Sequence, residues 1–117
     1  MFLEAETHHD KRGRLWVYPT PAKVETIYLV TIDNERGNHY HKKTDEWFVG
    51  ISGSIWVELI HTKNGFTSNF LLEPHNVLFV SSYVNHTFRA TGSTMLCYTN
   101  KKWSKGDRYE YKGRRVR

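Results

Sequence analysis

Short runs of β-branched and aromatic residues, broken by glycine, proline, asparagine or serine, recur along the chain about every ten residues. This spacing predicts strands at residues 14–18, 25–33, 46–51, 54–61, 66–72, 77–80, 85–90 and 94–99. Ser54 to His61 shows the logic: Ile55, Val57 and Leu59 share one face of a pleat, while Trp56, Glu58 and His61 fall on or near the other. Asn64-Gly65 follows, a pair that supplies the positive backbone angles of a tight hairpin. No stretch holds a helical period over about ten residues, and Pro19 and Pro21 interrupt the early connection. The class predicted is all-β, an antiparallel sandwich or barrel.

Length and charge narrow the picture. At 117 residues the chain has room for one domain with a modest core. No apolar run approaches the roughly 20 residues of a membrane span, so no membrane partner is expected. The first residues lack the charged and apolar regions of a signal peptide, and Cys97 is the only cysteine, so the default expectation is a cytoplasmic protein. The net charge of +5 favours an anionic ligand. That charge is concentrated in residues 101–117, which hold eight basic and two acidic residues. The expected division is a single domain over 1–100 and a basic C-terminal extension over 101–117. The extension reads first as a solvated terminus; a nucleic-acid patch is the lesser alternative, and nucleic acid is not the expected partner.

Residues 36–53, RGNHYHKKTDEWFVGISG, carry the chemistry. Side chains two apart on an extended strand point the same way, so His39 and His41 project together and Tyr40 points away. The four residues that follow allow a bend that returns Glu46 on the neighbouring strand. His86, set among apolar residues in VLFVSSYVNHTF, is placed to complete the same pocket. Imidazoles and a carboxylate on one interior face suit a divalent transition metal or a general acid and base pair.

His39, His41, Glu46 and Gly53 match the first motif of the cupins, and this resemblance, over roughly residues 10–100, implies an antiparallel double-sheet β-barrel of the jelly-roll kind. The second cupin motif is degraded. Ser81 and Tyr83 stand where proline and glycine are usual and Ala90 where asparagine is common, so only His86 carries over. The segments DKRGRL (10–15), ERGNHYHKK (35–43), GSIWVEL (53–59) and VLFVSSYVNHTF (77–88) resemble the sugar 3,4-ketoisomerases that act on dTDP-4-keto-6-deoxyglucose. They are also similar to the cupin domain of capsular polysaccharide epimerases and, more remotely, to the dTDP-4-dehydrorhamnose 3,5-epimerases.

The resemblance implies an isomerase or epimerase of a nucleotide-linked 4-keto-6-deoxy sugar, serving polysaccharide or glycan synthesis, with histidines moving protons beside the keto group. In the ketoisomerases no metal is required, and a glutamine usually stands in the place of Glu46. The acid here leans toward the metal-binding pattern, with His39, His41, Glu46 and His86 as ligands to Zn, Fe, Ni or Mn. On the isomerase reading His39 and His41 are the acid and base, an imidazole with an ordinary pKa near 6.5 being suited to both steps. Tyr28 is a proton donor or enolate stabiliser. Arg12 and Arg36, and less strongly Lys43 and Arg89, are expected on the pyrophosphate, which a guanidinium fork fits. Tyr98 is a candidate to stack on the base. A homodimer formed through an edge strand is expected. Two other readings stand beside this one: a metal-dependent cupin of another class, such as an oxygenase, and a non-catalytic sugar or nucleic-acid binding module.

Overall fold

Alternation of side chains along the predicted strands gives two apolar faces that can be hidden only against each other, and the computed structural model, which describes residues 1–116, shows that closure. Arg117, the last residue of the basic extension, lies outside the described residues. Five strands form one antiparallel sheet in the order β1 (Phe2–Leu3), β9 (Val77–Val80), β6 (Glu46–Ser52), β11 (Ser93–Thr99) and β4 (Thr26–Ile32). Four form the opposing sheet, in the order β5 (Glu35–His39), β10 (Val84–Arg89), β7 (Ile55–His61) and β8 (Thr67–Leu72). A separate hairpin pairs β2 (Glu6–Asp10) with β3 (Gly13–Val17). All eight predicted strands are present with ends within one residue of those expected. No helix is long and apolar enough to cross a membrane among the described residues.

The inner faces of the two sheets meet in one cluster that includes Val30, Ile32, Phe48, Val57, Leu59, Phe88 and Met95. Truncation of a buried ring such as Phe48 costs about 3–5 kcal/mol, so these contacts dominate the stability of a domain this small. A second cluster, Trp47, Val49, Val77 and Tyr98, lies on the opposite side of the five-stranded sheet, because neighbours along a strand face opposite ways. The projecting hairpin is fastened at its base, where Trp16 stacks on His75 with ring centroids 3.8 Å apart and the Tyr18 hydroxyl meets His75 Nδ1 at 2.7 Å.

The β7–β8 hairpin differs from the tight turn that Asn64-Gly65 predicts. Only Gly65 takes a positive φ, +75°. The Asn64 side chain instead accepts a bond from the Phe66 N–H at 2.9 Å, which stabilises a longer loop. The far side of β7 is only partly open to solvent, at Trp56. Glu58 and Ile60 are buried there, and the chain end lies along this side: Arg115 Nη2 stands 3.6 Å from Glu58 Oε1, and the Thr67 N–H donates to the Val116 carbonyl at 2.7 Å.

β5 was not predicted as a strand because ERGNH offers no apolar alternation. It is held instead by pairing with β10 and carries a bulge, with the register shifting between His86 and Thr87. Gly37 (φ +84°) and Asn38 (φ +60°) turn through this bulge. Gly37 is required: a Cβ there would meet the His86 carbonyl oxygen at 2.6 Å. The outcome is that His39 sits directly opposite His86, facing inward.

Candidate active site

Both sheets contribute to one interior site. From the five-stranded sheet come Tyr28 on β4, Glu46 and Phe48 on β6, and Cys97 on β11, all of the inward parity. From the four-stranded sheet come His39 on β5 and His86 on β10, with His41 two residues past the end of β5. Tyr40 points outward and pairs with Tyr109, each N–H donating to the other's carbonyl at 2.9 and 3.0 Å. The alternation predicted for His39 and His41 therefore holds: their ring centroids are 4.9 Å apart, and His39 and His86 are 4.7 Å apart.

Glu46 is the hub. Its Oε1 lies 3.0 Å from His41 Nε2 and 3.2 Å from His86 Nε2, while Oε2 accepts from the Tyr28 hydroxyl at 2.9 Å. The His41 contact is close but not aligned as a hydrogen bond, and it becomes an ion pair when the imidazole is protonated. Burial alone would raise the Glu46 carboxyl, but His86, His41 and Tyr28 overcome it and hold it at about 2. Glu46 is thus ionised at neutral pH.

The three histidines divide. Burial lowers His41, but the Glu46 carboxylate and the Asp107 backbone outweigh it and the net shift is upward. Its Nδ1 is bonded to the Asp107 carbonyl, which only accepts, so Nδ1 carries a proton and Nε2 is left toward Glu46. His39 has no such partner. Burial, then the neighbouring His86 and His41, push it down to about 4, so it is neutral at pH 7. His86, enclosed at 2% exposure, is also lowered by burial, against the pull of Glu46. A neutral imidazole and one shifted toward its protonated form stand side by side, a pair suited to proton transfer.

These groups line the floor of a cavity of about 630 Å³. One side of its mouth is the β4–β5 turn and the start of β5, including Arg36; the other is formed by Lys102, Trp103, Ser104 and Arg108 from the basic extension. That extension is exposed along much of its length but is not loose at this point. The Asp107 carboxylate accepts from the Lys42 N–H (2.9 Å), the Lys43 N–H (3.2 Å) and the Thr44 hydroxyl (2.9 Å), tying the extension to the loop after His41.

Of the residues expected on substrate, only Arg36 lines the cavity. Arg12 sits at the tip of the projecting hairpin, bonded to Asp10 at 2.6 Å and away from the barrel. Lys43 lines an adjoining depression, which shares Thr44, Lys102 and Ser104 with the cavity. Arg89, at the end of β10, is paired with Glu35 at 2.9 Å. Tyr98 faces the second cluster, its hydroxyl on the Pro19 carbonyl, because the inward parity on β11 belongs to Cys97. Tyr28 reaches the site, where its hydroxyl donates to Glu46 Oε2, and burial and that charge raise its pKa far above neutrality. Sequence reasoning missed Lys102, Trp103, Asp107 and Arg108; the signal available was a tryptophan, two tyrosines and an aspartate within a run otherwise read as solvated.

A closed pair of antiparallel sheets with imidazoles and a carboxylate converging inside is a cupin barrel. The chain belongs to the family described as FdtA: WxcM-like, C-terminal, whose model matches residues 2–113. No curated protein sequence matches it. Among solved structures, it is similar to the WlaRB TDP-quinovose 3,4-ketoisomerase of Campylobacter jejuni, with 18% identity, TM-score 0.83, and 94% of this chain and 91% of that one covered. A mutant of the 3,4-ketoisomerase QdtA from Thermoanaerobacterium thermosaccharolyticum, in complex with TDP-4-keto-6-deoxyglucose, matches with 19% identity, TM-score 0.79, and 92% and 84% coverage. The rmlC epimerase of Mycobacterium tuberculosis matches with 16% identity, TM-score 0.80, and 93% and 66% coverage. At these identities the likeness establishes the fold.

Proposed function

We propose that this protein is an isomerase or epimerase of a nucleotide-linked 4-keto-6-deoxy sugar. The observation that carries the proposal is the juxtaposition of His39 and His41 on the floor of an open cavity, one neutral and one held toward its charged form by Glu46. Family membership and the nucleotide-sugar enzymes among the structural relatives support it.

The chemistry follows from the groups. His39 takes the proton from the carbon beside the keto group, and the electron pair forms a carbon–carbon double bond as the carbonyl becomes an enolate oxygen. The imidazolium of His41 stabilises that oxygen and returns a proton. If the proton goes to the former carbonyl carbon while the neighbouring hydroxyl passes its own to the enolate oxygen, the keto group has moved by one position. If it returns to its original carbon from the opposite face, the centre is inverted. Glu46 draws His41 toward its charged form, and Tyr28 and His86 fix Glu46. Incubation with dTDP- and UDP-4-keto-6-deoxyglucose, followed by NMR, tests the proposal: a displaced keto group or an inverted centre is expected, and return of unchanged sugar from both would refute it.

A homodimer belongs to this proposal. β4 is the outer strand of its sheet and leaves Ile27 and Leu29 exposed at 64% and 65%, an apolar edge that a second copy would cover. Light scattering should give twice the chain mass.

One observation favours a second reading, a metal-dependent cupin of another reaction class. Ligand atoms of His39, His41 and His86 lie within 4.8 Å of one another, with the Glu46 carboxylate beside them. This donor set fits Zn, Fe, Ni or Mn, which would supply a Lewis acid at the cavity floor. Stoichiometric metal in protein prepared without chelator, together with oxygen consumption, would favour it.

A further inference from the structure

We infer that the basic C-terminal extension is the diphosphate clamp of the site, with Arg108 as its principal contact and Lys102 beside it; this rests on the nucleotide-sugar proposal and names how the nucleotide is held. A nucleoside diphosphate brings its negative charge to the mouth of the cavity when its sugar reaches the histidines on the floor. The β4–β5 side of the mouth is poorly suited to receive that charge alone. It carries Asp33 and Glu35, and its one cavity-lining cation, Arg36, already donates from Nε to the Thr31 carbonyl at 3.0 Å.

The opposite side is different. Lys102 and Arg108 both line the cavity, and among the described residues neither has a carboxylate within ion-pair distance. Two cations without an ion-pair partner on one side of the cavity attract an anionic ligand to it, although the Lys102 charge is also felt by Glu25. The position of Arg108 is also prepared. Its guanidinium lies 5.3 Å from the Trp103 ring centroid, a cation–π contact that restricts the side chain while leaving its N–H groups free for phosphate oxygens. On either side of Arg108 the backbone is fixed, by the Asp107 carboxylate on the 42–44 loop and by the Tyr40–Tyr109 pairing. The same loop follows His41, whose Nδ1 is bonded to the Asp107 carbonyl. One segment therefore orients a floor histidine and presents a guanidinium at the mouth. The Arg108 charge is felt on the floor as well, as the smallest of the effects that lower His39, after burial, His86, His41 and Glu46, the last acting the other way.

Calorimetric titration of the full chain with TDP, UDP and thymidine tests the inference, alongside Arg108→Gln, Lys102→Gln and Arg108→Lys. The expected result is that Arg108→Gln weakens the tighter-bound diphosphate by at least about tenfold, Lys102→Gln by less, and that Arg108→Lys recovers part of the loss, since it keeps the charge and gives up the fork. In turnover of the 4-keto sugar the larger part of the Arg108→Gln loss falls on KM. Thymidine, lacking phosphate, should bind the original chain and Arg108→Gln alike. Equal diphosphate affinity in the original chain and Arg108→Gln, or no diphosphate binding at all, would overturn the inference. Diphosphate binding weakened by Arg108→Gln in a protein that converts no keto sugar would uphold the clamp and defeat the proton-transfer proposal instead.

Discussion

The floor of the cavity is made by strands and its mouth by irregular backbone, and the two differ in how each side chain is held. On the floor, Glu46, His86 and Cys97 are buried on paired strands, and each polar atom is fixed by register and by its neighbours. At the mouth, Lys102, Trp103 and Arg108 are exposed, and one partly buried aspartate fastens their segment. Strand pairing places a group to within a fraction of a bond length, which proton transfer needs. A fastened loop places a long cation only approximately, and that suffices for a phosphate whose several oxygens accept from many directions.

Removing groups from each region should separate the two roles. The largest effect is expected for Glu46→Ala, which leaves His41 and His86 without their shared counter-charge; a buried pair broken on one side costs about 3–5 kcal/mol, read as the shift in urea midpoint at constant m-value. Asp107→Ala should cost less, about 1–2 kcal/mol, since its bonds are partly exposed, while weakening diphosphate binding and turnover together. If it changed stability but not binding, the mouth would not depend on that fastening.

A pH series sharpens the contrast further. Folded His39 binds its proton only near about 4, against an ordinary 6.5, so between these values the unfolded chain holds more protons and stability falls as the pH is lowered. His86 is shifted the same way, whereas His41, raised by Glu46, contributes stability below 6.5 that is lost as the pH rises through its folded value. Urea midpoints from pH 7 to pH 4 should decline, and His39→Asn should flatten the decline. Arg89→Ala, which removes an exposed pair with Glu35 outside the cavity, should change stability by less than about 1 kcal/mol.

The same division decided what could be seen in the sequence. His39, His41, Glu46 and His86 were legible because a period of two assigns faces without any knowledge of neighbours. β5 itself was not, since its path depends on a bulge at Gly37 and Asn38 that pairing with β10 imposes. Parity also corrects Tyr98. Counted with Met95 and Cys97 on the inner face, it must point out, but its aromatic character drew attention to the wrong side of the strand. The mouth was illegible for a different reason. Asp107 acts through three contacts with residues more than sixty positions away, and no local pattern announces a long-range loop fastening. Arg12 shows the converse: DKRG reads as a phosphate motif, yet in this chain its arginine is at the tip of a hairpin that leaves the barrel.

The central claim is that two adjacent imidazoles on the cavity floor move protons beside a keto group, and the rate of sugar conversion by His39→Asn/His41→Asn tests it most directly. The account predicts a fall of about 10²–10⁴-fold or more, with an unchanged far-ultraviolet spectrum and diphosphate affinity within a few-fold of the original. Conversion at an undiminished rate by the folded double variant would contradict it.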